Sequence, residues 1–132
     1  MKVIEQSATH EILIGKDALS LFQWYNVDYM HGLDSQSCQQ RIEEGGTYID
    51  GLANFIPISE GRYDFNRWFV FFNLKAFNND YRDITLIMHE LTHIGFMLHE
   101  WDAMHEESII TFGEEQTNRL YPIIKQYINE IR

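Results

Sequence analysis

The chain has 132 residues, of which 20 are acidic and 10 basic, so its formal net charge at pH 7 is −10. An anionic surface repels phosphate backbones and anionic lipid headgroups, which argues against nucleic-acid binding. Hydrophobic residues make up 45% of the chain and aromatic residues 14%, which argues against an intrinsically disordered protein. This length and composition favour a single domain over residues 1–132.

Cysteine usage and hydropathy bear on the cellular compartment. Cys38 is the only cysteine, so no disulfide can form within the chain, and a reducing compartment is the simplest setting. The first residues acquire an acid at Glu5 and lack the apolar segment of a signal peptide. No apolar run approaches the roughly 18 residues that a membrane span requires. We therefore expect a soluble, cytoplasmic protein that does not bind membranes.

The first part of the chain predicts a short strand followed by two helices. The strand is expected near 12–14, and Asp17 is in position to cap the helix that follows it. A polar helix is expected over 34–44, because Asp34 is a favourable N-cap and two glycines follow the segment.

Two β-like stretches occupy the middle of the chain. The first runs over 47–58 and is interrupted by Gly51 and Pro57, and the second runs over 67–77 and is rich in aromatic residues that favour strands. The segment SEGRYD between them is typical of a turn. The pattern predicts a β-hairpin.

From Asp83 onwards the apolar residues recur at spacings of three and four, which predicts an amphipathic helix extending to Leu98. A polar connector is expected over 101–108, and a last helix over 107–131 with a kink at Pro122. Mixed strands and helices followed by two helices indicate an α+β fold.

The segment IMHELTHIGF contains two histidines, His89 and His93, four residues apart on the predicted helix. Residues at this spacing share one helix face, so the two imidazoles can bind one metal ion at roughly 2.0 to 2.1 Å each. Glu90 is rotated by about 100° from His89. It therefore points beside the metal rather than at it, which suits a base acting on water.

The alternative is that these residues occur by chance on an amphipathic helix. We favour the metal site, because the motif interrupts an apolar segment where unpaired imidazoles and a carboxylate would lose hydration.

Zinc requires a third protein ligand, and several residues compete for that role. Glu114 is favoured because Asn118 lies one helical turn later and can orient a metal-bound histidine. Glu115 is the main rival, and His99, six residues after His93, is a weaker one. The sequence SQSCQQ around Cys38 does not resemble the stretch around the metal-binding cysteine of deformylases, which indicates a buried or inert thiol. The other carboxylates considered are Glu106 and Glu107.

Two stretches, FFNLKAFNNDYRDITLIMHELTHIGFML and GEEQTNRLYP, resemble the small bacterial and phage metallopeptidases of the ImmA/IrrE type, which are minimal gluzincins. The resemblance covers residues 69–122. Thr92 and Thr117 stand where that family usually has glycine and alanine. The matching positions are Asn73 at the end of a strand, Arg82, Thr85 and Leu86 before the HExxH motif, and Glu114 with Asn118 on the next helix.

The resemblance implies a zincin-like domain, in which a short mixed sheet or hairpin packs on the active-site helix and a C-terminal helix supplies a ligand. It also implies Zn²⁺ bound by His89, His93 and Glu114, with Glu90 as general base. Such a protein hydrolyses peptide bonds of a selective protein or peptide substrate through a water activated by the metal. His99, His105 and Tyr121 are the candidates for stabilising the oxyanion.

A second hypothesis is a catalytically silent zincin-like binding module of phage or mobile-element origin. Its binding surface would include the aromatic stretch 67–77.

Overall fold

The computed structural model describes residues 1–100 and 102–132. The chain forms two compact units. We call Met1–Ala76 the sheet unit and Phe77–Arg132 the helical unit. Within the described residues, every helix is too short or too polar to cross a membrane.

The sheet unit begins with a β-hairpin and contains two short helices. Its elements in chain order are β1 (Lys2–Gln6), β2 (His10–Gly15), α1 (Leu19–Tyr25), β3 (Tyr29–Met30), β4 (Leu33–Asp34), α2 (Ser35–Glu43), β5 (Gly51–Ser59) and β6 (Arg62–Asn73). A 3-10 helix, Leu74–Ala76, ends the unit.

The four-stranded sheet has the order β1-β2-β6-β5, and β3 pairs with β4 in a separate small ladder. β1 is antiparallel to β2, and β5 is antiparallel to β6. β2 and β6 are parallel, with His10 opposite Trp68 and Gly15 opposite Asn73. The sheet is therefore mixed, because the parallel pair joins two antiparallel hairpins.

The two central strands, β2 and β6, each contain a run of buried apolar residues. Ile12, Leu13 and Ile14 are buried on β2, and the run from Phe69 to Phe72 is buried on β6. Strands that are covered on both faces read as continuous apolar runs, which is the pattern of these two segments.

An aspartate side chain binds a backbone N–H in the first turn of both α1 and α2. Asp17 Oδ1 accepts a hydrogen bond from the backbone N of Ser20 at 3.1 Å. Asp34 is the N-cap of α2 and accepts a hydrogen bond from the backbone N of Ser37 at 2.7 Å. Both carboxylates satisfy backbone donors that the first helical turn leaves unpaired.

The helical unit consists mainly of α3 (Tyr81–Leu98) and α4 (Glu106–Ile131), with a 3-10 helix, Ala103–His105, before α4. The buried face of α4 recurs at spacings of three and four residues, as expected for an amphipathic helix. It comprises Ile109, Gly113, Thr117, Leu120, Ile124 and Ile128. The guanidinium of Arg132 donates to the carbonyl of Phe77 at 2.9 Å, so the end of α4 binds the start of its own unit.

The structure confirms the predicted α+β fold class, the hairpin of β5 and β6, and the helices α2, α3 and α4. It corrects several boundaries. The strand predicted over 47–58 is β5, which begins at Gly51 and ends at Ser59. The strand predicted over 67–77 is β6, which begins at Arg62 and ends at Asn73. α4 continues through Pro122 as one helix, and the kink predicted there stays a prediction. Trp101, the first residue of the predicted connector, lies outside the described residues.

Candidate metal centre

The start of α3 is fixed by two aspartates. Asp80 is the N-cap and accepts a hydrogen bond from the backbone N of Arg82 at 3.0 Å. Asp83 is buried, and its carboxylate accepts from the backbone N of Asn78 at 2.7 Å and from that of Asn79 at 2.8 Å. These bonds hold the loop against the first turn, so the helix that carries the histidines has a defined beginning.

His89 and His93 lie side by side on α3. Their Nε2 atoms are 3.1 Å apart, and their rings meet edge to face with centroids separated by 4.7 Å. Two nitrogens bound to one tetrahedral zinc ion at about 2.0 to 2.1 Å are separated by about 3.3 Å. The observed separation is therefore close to that of a chelating pair, and it is also compatible with one N–H···N hydrogen bond.

The protonation of His93 is biased towards the neutral form. Burial lowers the pKa of His93, and the neighbouring His89 lowers it further. A neutral imidazole is the form that binds metal ions, because the ligand nitrogen must carry a free lone pair. His93 is thus more often in the neutral form at a given pH than a free histidine is.

Glu90 lies on the buried side of α3 and is 7% exposed. His89, the preceding residue, is exposed. The two side chains diverge by about 100° around the helix axis, as the α-helical repeat requires. Glu90 is thus next to the histidine pair without sharing its face.

α3 and α4 pack closely, because two glycines remove side chains from their contact. A Cβ atom on Gly113 would lie 2.8 Å from Thr92 Oγ1, and one on Gly95 would lie 3.1 Å from Ile109 Cγ2. Along α3 the contact residues come in the order Thr92, Gly95, whereas their partners on α4 come in the opposite order. The two helices therefore run antiparallel. The register of the two helices is therefore defined at two points.

This register determines the side of the helix pair on which Glu114 lies. Thr92 faces Gly113, and His93 and Glu114 are the residues that follow them. In an antiparallel pair, residues that follow two facing residues are rotated by about 100° to the same side of the pair. By the same register Glu114 is level with Leu91 along the helix axis, and this level lies between those of His89 and His93.

Glu115 and His99 border a different cleft. This cleft has a volume of about 380 Å³ and is also lined by Glu107, Ser108, Thr111 and Phe112. Its lining residues do not include His89 or His93. The structure therefore separates Glu115 and His99 from the histidine pair.

Glu114 is exposed, and its carboxylate does not meet the two imidazoles. Among residues 1–100 and 102–132, no three His, Cys, Asp or Glu side chains are gathered closely enough to hold one metal ion. The structure thus brings together His89 and His93 but not the complete predicted ligand set. Cys38 is fully buried in the sheet unit, and burial, followed by Asp17 and Asp34, raises the pKa of its thiol to about 11. Such a thiol is inert.

The three residues considered for the oxyanion have other contacts. The rings of His99 and His105 stack with centroids 4.8 Å apart. The ammonium of Lys125 lies 5.7 Å from the ring centroid of Tyr121.

The sequence analysis missed a second group of residues beside the histidines. His89 and His93 line a cleft of about 420 Å³ together with Thr85, Met88, Thr92 and Phe96. These four residues recur at spacings of three, four and four, so a helical projection of α3 places them on one stripe.

Comparisons with protein-family models, with curated proteins and with solved structures gave no match.

Proposed function

We propose that this protein is a zinc-dependent peptidase whose metal ligands are His89, His93 and Glu114. The observation that carries the proposal is the 3.1 Å separation of the two histidine Nε2 atoms, which is close to that of two ligands on one zinc ion. The lowered pKa of His93 supports it, because the neutral imidazole is the ligand form.

Glu114 is proposed as the third ligand because of its position on α4. It lies on the same side of the helix pair as His93 and at a height between the two histidines. Its exposed side chain has rotatable bonds that allow the carboxylate to turn towards the imidazoles. Glu115 follows it by a further 100° or so, which directs its side chain away from α3.

A zinc ion held by these residues would supply Lewis acidity towards the peptide carbonyl and the attacking water. Glu90 takes one proton from that water as the water oxygen bonds to the carbonyl carbon. The same carboxyl group then gives the proton to the amide nitrogen as the C–N bond breaks. The products are a carboxylic acid and an amine, so atoms and charges balance without a further reactant.

Metal content tests the first part of the proposal. We expect one zinc ion per chain in the purified wild-type protein and far less in His89→Ala, because one imidazole alone binds zinc weakly. His99→Ala is the matched control, and it should keep its zinc because His99 lines the other cleft. Equal zinc content in the wild type and His89→Ala would refute the metal site.

Cleavage tests the second part. Glu90→Gln should keep its zinc and lose a factor of about 10² to 10⁴ in the rate of peptide cleavage, the usual cost of removing a general base. Mass spectrometry of a proteome-derived peptide library after incubation supplies the substrates and the rates. A variant that cleaves at the wild-type rate would remove Glu90 from the mechanism. A wild-type protein that holds zinc and cleaves nothing would favour the silent binding module.

A further inference from the structure

The turn between β1 and β2 brings two hydroxyl groups to one imidazole. His10 is the first residue of β2, and its Nδ1 lies 3.2 Å from Ser7 Oγ and 2.9 Å from Thr9 Oγ1. The backbone of the turn is held on both sides. The N–H of Ser7 donates to the carbonyl of His10 at 2.9 Å, and the N–H of Trp68 on β6 donates to the carbonyl of Thr9 at 3.1 Å. The residues that carry the hydroxyl groups therefore have a defined position beside the ring.

A carboxylate and an aromatic ring orient the imidazole of His10. Its Nε2 lies 2.6 Å from Glu5 Oε1, and the side chains of His10 and Glu5 are only 17% and 28% exposed. The ring of Trp68 stacks on that of His10, with centroids 4.3 Å apart and 12° between the planes. The carboxylate accepts the Nε2–H, which leaves a lone pair on Nδ1 directed at the hydroxyl groups. His10 is thus arranged to accept a proton from one of them.

A β-bulge brings Glu5 to the same face of the sheet as His10. Glu5 pairs with Ile12 because β1 contains one extra residue between Val3 and Glu5. His10 and Ile12 are two positions apart on β2 and point to one face, which the paired Glu5 shares. With regular pairing Glu5 would be opposite Glu11 and would point to the other face. Bulges that redirect a side chain in this way are common next to active sites.

Of the two hydroxyl groups, that of Ser7 is the better nucleophile. Ser7 Oγ accepts hydrogen bonds from the backbone N of Thr9 at 3.2 Å and from that of His10 at 3.3 Å. Both N–H groups stabilise the negative charge that develops on this oxygen as its proton leaves. The side chain of Ser7 is exposed and lacks the branching methyl group of threonine, so a substrate can approach it.

We propose that Ser7 is the nucleophile of an ester-hydrolysing site, with His10 as its general base and Glu5 as the residue that positions the imidazole. A hydroxyl group, an imidazole and a carboxylate in consecutive hydrogen bonds are the arrangement that activates a serine. The site lies within the sheet unit and uses none of the proposed zinc ligands, so it is independent of the peptidase.

Each step of the reaction balances. Ser7 Oγ bonds to the carbonyl carbon of the ester while its proton passes to His10 Nδ1. His10 gives that proton to the departing alcohol oxygen as the C–O bond breaks, which leaves the acyl group on Ser7. Water then attacks the acyl group, with His10 again taking and returning one proton. The products are an alcohol and a carboxylic acid, and ester and water are the only reactants.

The surroundings of His10 favour an ester with an apolar acyl group. Phe55 pairs with Trp68 across β5 and β6, and Phe65 meets the ring of Phe55 edge to face with centroids 5.1 Å apart. Phe65 is 71% exposed. Aromatic rings therefore extend from the imidazole across neighbouring strands, and an acyl chain can bury apolar surface against them.

A fluorophosphonate probe tests whether Ser7 is activated. The probe forms an Oγ–P bond with an activated serine as its P–F bond breaks and fluoride leaves. We expect a single label that tandem mass spectrometry maps to Ser7 and that Ser7→Ala loses. Ser37→Ala is the matched control and should keep the label, because Ser37 is an exposed serine that contacts Asp34 rather than a histidine. An unlabelled wild-type protein, or a label on Thr9 or equally on several serines, would overturn the proposal.

Hydrolysis of p-nitrophenyl butyrate separates catalysis from a purely structural role of the turn. His10→Ala should release p-nitrophenolate more slowly by roughly tenfold or more, the cost of losing a general base. Added imidazole should restore part of that rate above the background measured with Ser7→Ala, which a structural role would not produce. Glu5→Gln should also be slowed, and Glu5→Asp should retain more activity because it keeps the carboxylate. A His10→Ala protein that imidazole does not rescue, or wild-type rates in Ser7→Ala, would overturn the proposal.

Both assays are carried out in excess chelator, which separates this site from the proposed zinc site. Labelling and hydrolysis that persist in chelator support the serine site whatever the outcome of the zinc analysis. Hydrolysis that disappears in chelator and returns with added zinc would belong to the metal centre and would overturn this inference.

The acyl group provides a final check. Because the aromatic rings lie beside His10, the butyrate ester should be hydrolysed faster than the acetate ester by the wild-type protein, and Phe65→Ser should reduce this preference. Equal rates for the two esters would overturn the assignment of an apolar substrate.

Discussion

The two histidines and the third ligand illustrate what single residues reveal before a structure is known. The spacing of His89 and His93 depends only on the helical repeat, so the sequence predicts their proximity, and the structure has their Nε2 atoms 3.1 Å apart. Glu114 depends on how α4 packs against α3. That register is set by the contact of Gly113 with Thr92, which no local pattern predicts.

Glu114 and Glu115 can be distinguished by zinc retention. We expect Glu114→Ala to lose zinc to a competing chelator much faster than the wild type, because a three-ligand site then has only two ligands. Glu115→Ala is the matched control and should release zinc at the wild-type rate. The reverse result would shift the assignment by one residue.

His31 in the sheet unit is a half-buried histidine that the sequence analysis did not single out. Its Nε2–H donates to the carbonyl of Phe55 at 2.8 Å, and its ring stacks on that of Tyr63 with centroids 4.1 Å apart. Burial lowers the pKa of His31, an effect that the hydrogen bond to Phe55 partly offsets.

The lowered pKa of His31 predicts how stability depends on pH. Below the unfolded pKa of about 6.5, the unfolded chain binds more protons at this site than the folded chain does, so the free energy of unfolding falls as pH decreases. The loss ends once pH is below the folded pKa of His31. We expect His31→Gln to show a smaller decrease than the wild type between about pH 7 and pH 5 in zinc-free urea titrations, because the glutamine amide can still donate to Phe55 but does not titrate. Identical pH profiles would contradict this assignment.

At the scale of the elements, the helical unit depends on the close approach of α3 and α4. Gly95 and Gly113 lack side chains at the contact, so their helix positions cost conformational entropy that close packing offsets. Glycine within a helix ordinarily costs about 1 kcal/mol relative to alanine. Steric fit and helix propensity therefore act in opposite directions at these sites.

A double-mutant cycle measures this opposition. Gly113→Ala alone should lower the free energy of unfolding by about 1 to 3 kcal/mol, because its Cβ would lie 2.8 Å from Thr92 Oγ1. In the background of Thr92→Ala the same change should be neutral or stabilising by up to about 1 kcal/mol, since the clashing hydroxyl is absent. Urea denaturation of the four proteins gives both values. Equal effects in the two backgrounds would show that Thr92 is not the group that opposes the new methyl group.

The elements that the sequence predicted share a local signal, and those it missed do not. α2 has a capping aspartate, and β5 and β6 flank a recognisable turn, so Asp34 and the segment SEGRYD sufficed. β1 was missed because it is an edge strand with polar residues. One of them is Glu5, whose Oε1 lies 2.6 Å from Nε2 of His10. The parallel pairing of β2 with β6 is a long-range contact, which local periodicity does not encode.

At the scale of the whole molecule, the prediction of a single domain stays a prediction. The helical unit spans Phe77–Arg132, and a segment of this length buries a small core by itself. We therefore expect it to unfold together with the sheet unit in one cooperative transition.

Two probes that report on different units can check this expectation. In the variant Trp101→Phe, the remaining tryptophans, Trp24 and Trp68, report on the sheet unit, whereas far-UV circular dichroism is dominated by α3 and α4. The two signals should change at the same temperature, and the calorimetric and van't Hoff enthalpies should agree. Two separate midpoints would mean that the chain has two domains.

The parallel pairing of β2 with β6 also affects how the chain is made. Paired residues such as His10 and Trp68 are 58 positions apart, so β2 is synthesised long before its partner. At about 5 to 20 residues per second, the ribosome needs roughly 3 to 12 s to supply β6. During that interval Ile12, Leu13 and Ile14 lack the neighbouring strand beside which they are buried in the folded chain. The nascent protein therefore exposes an aggregation-prone apolar segment for seconds, and chaperones bind segments of this kind.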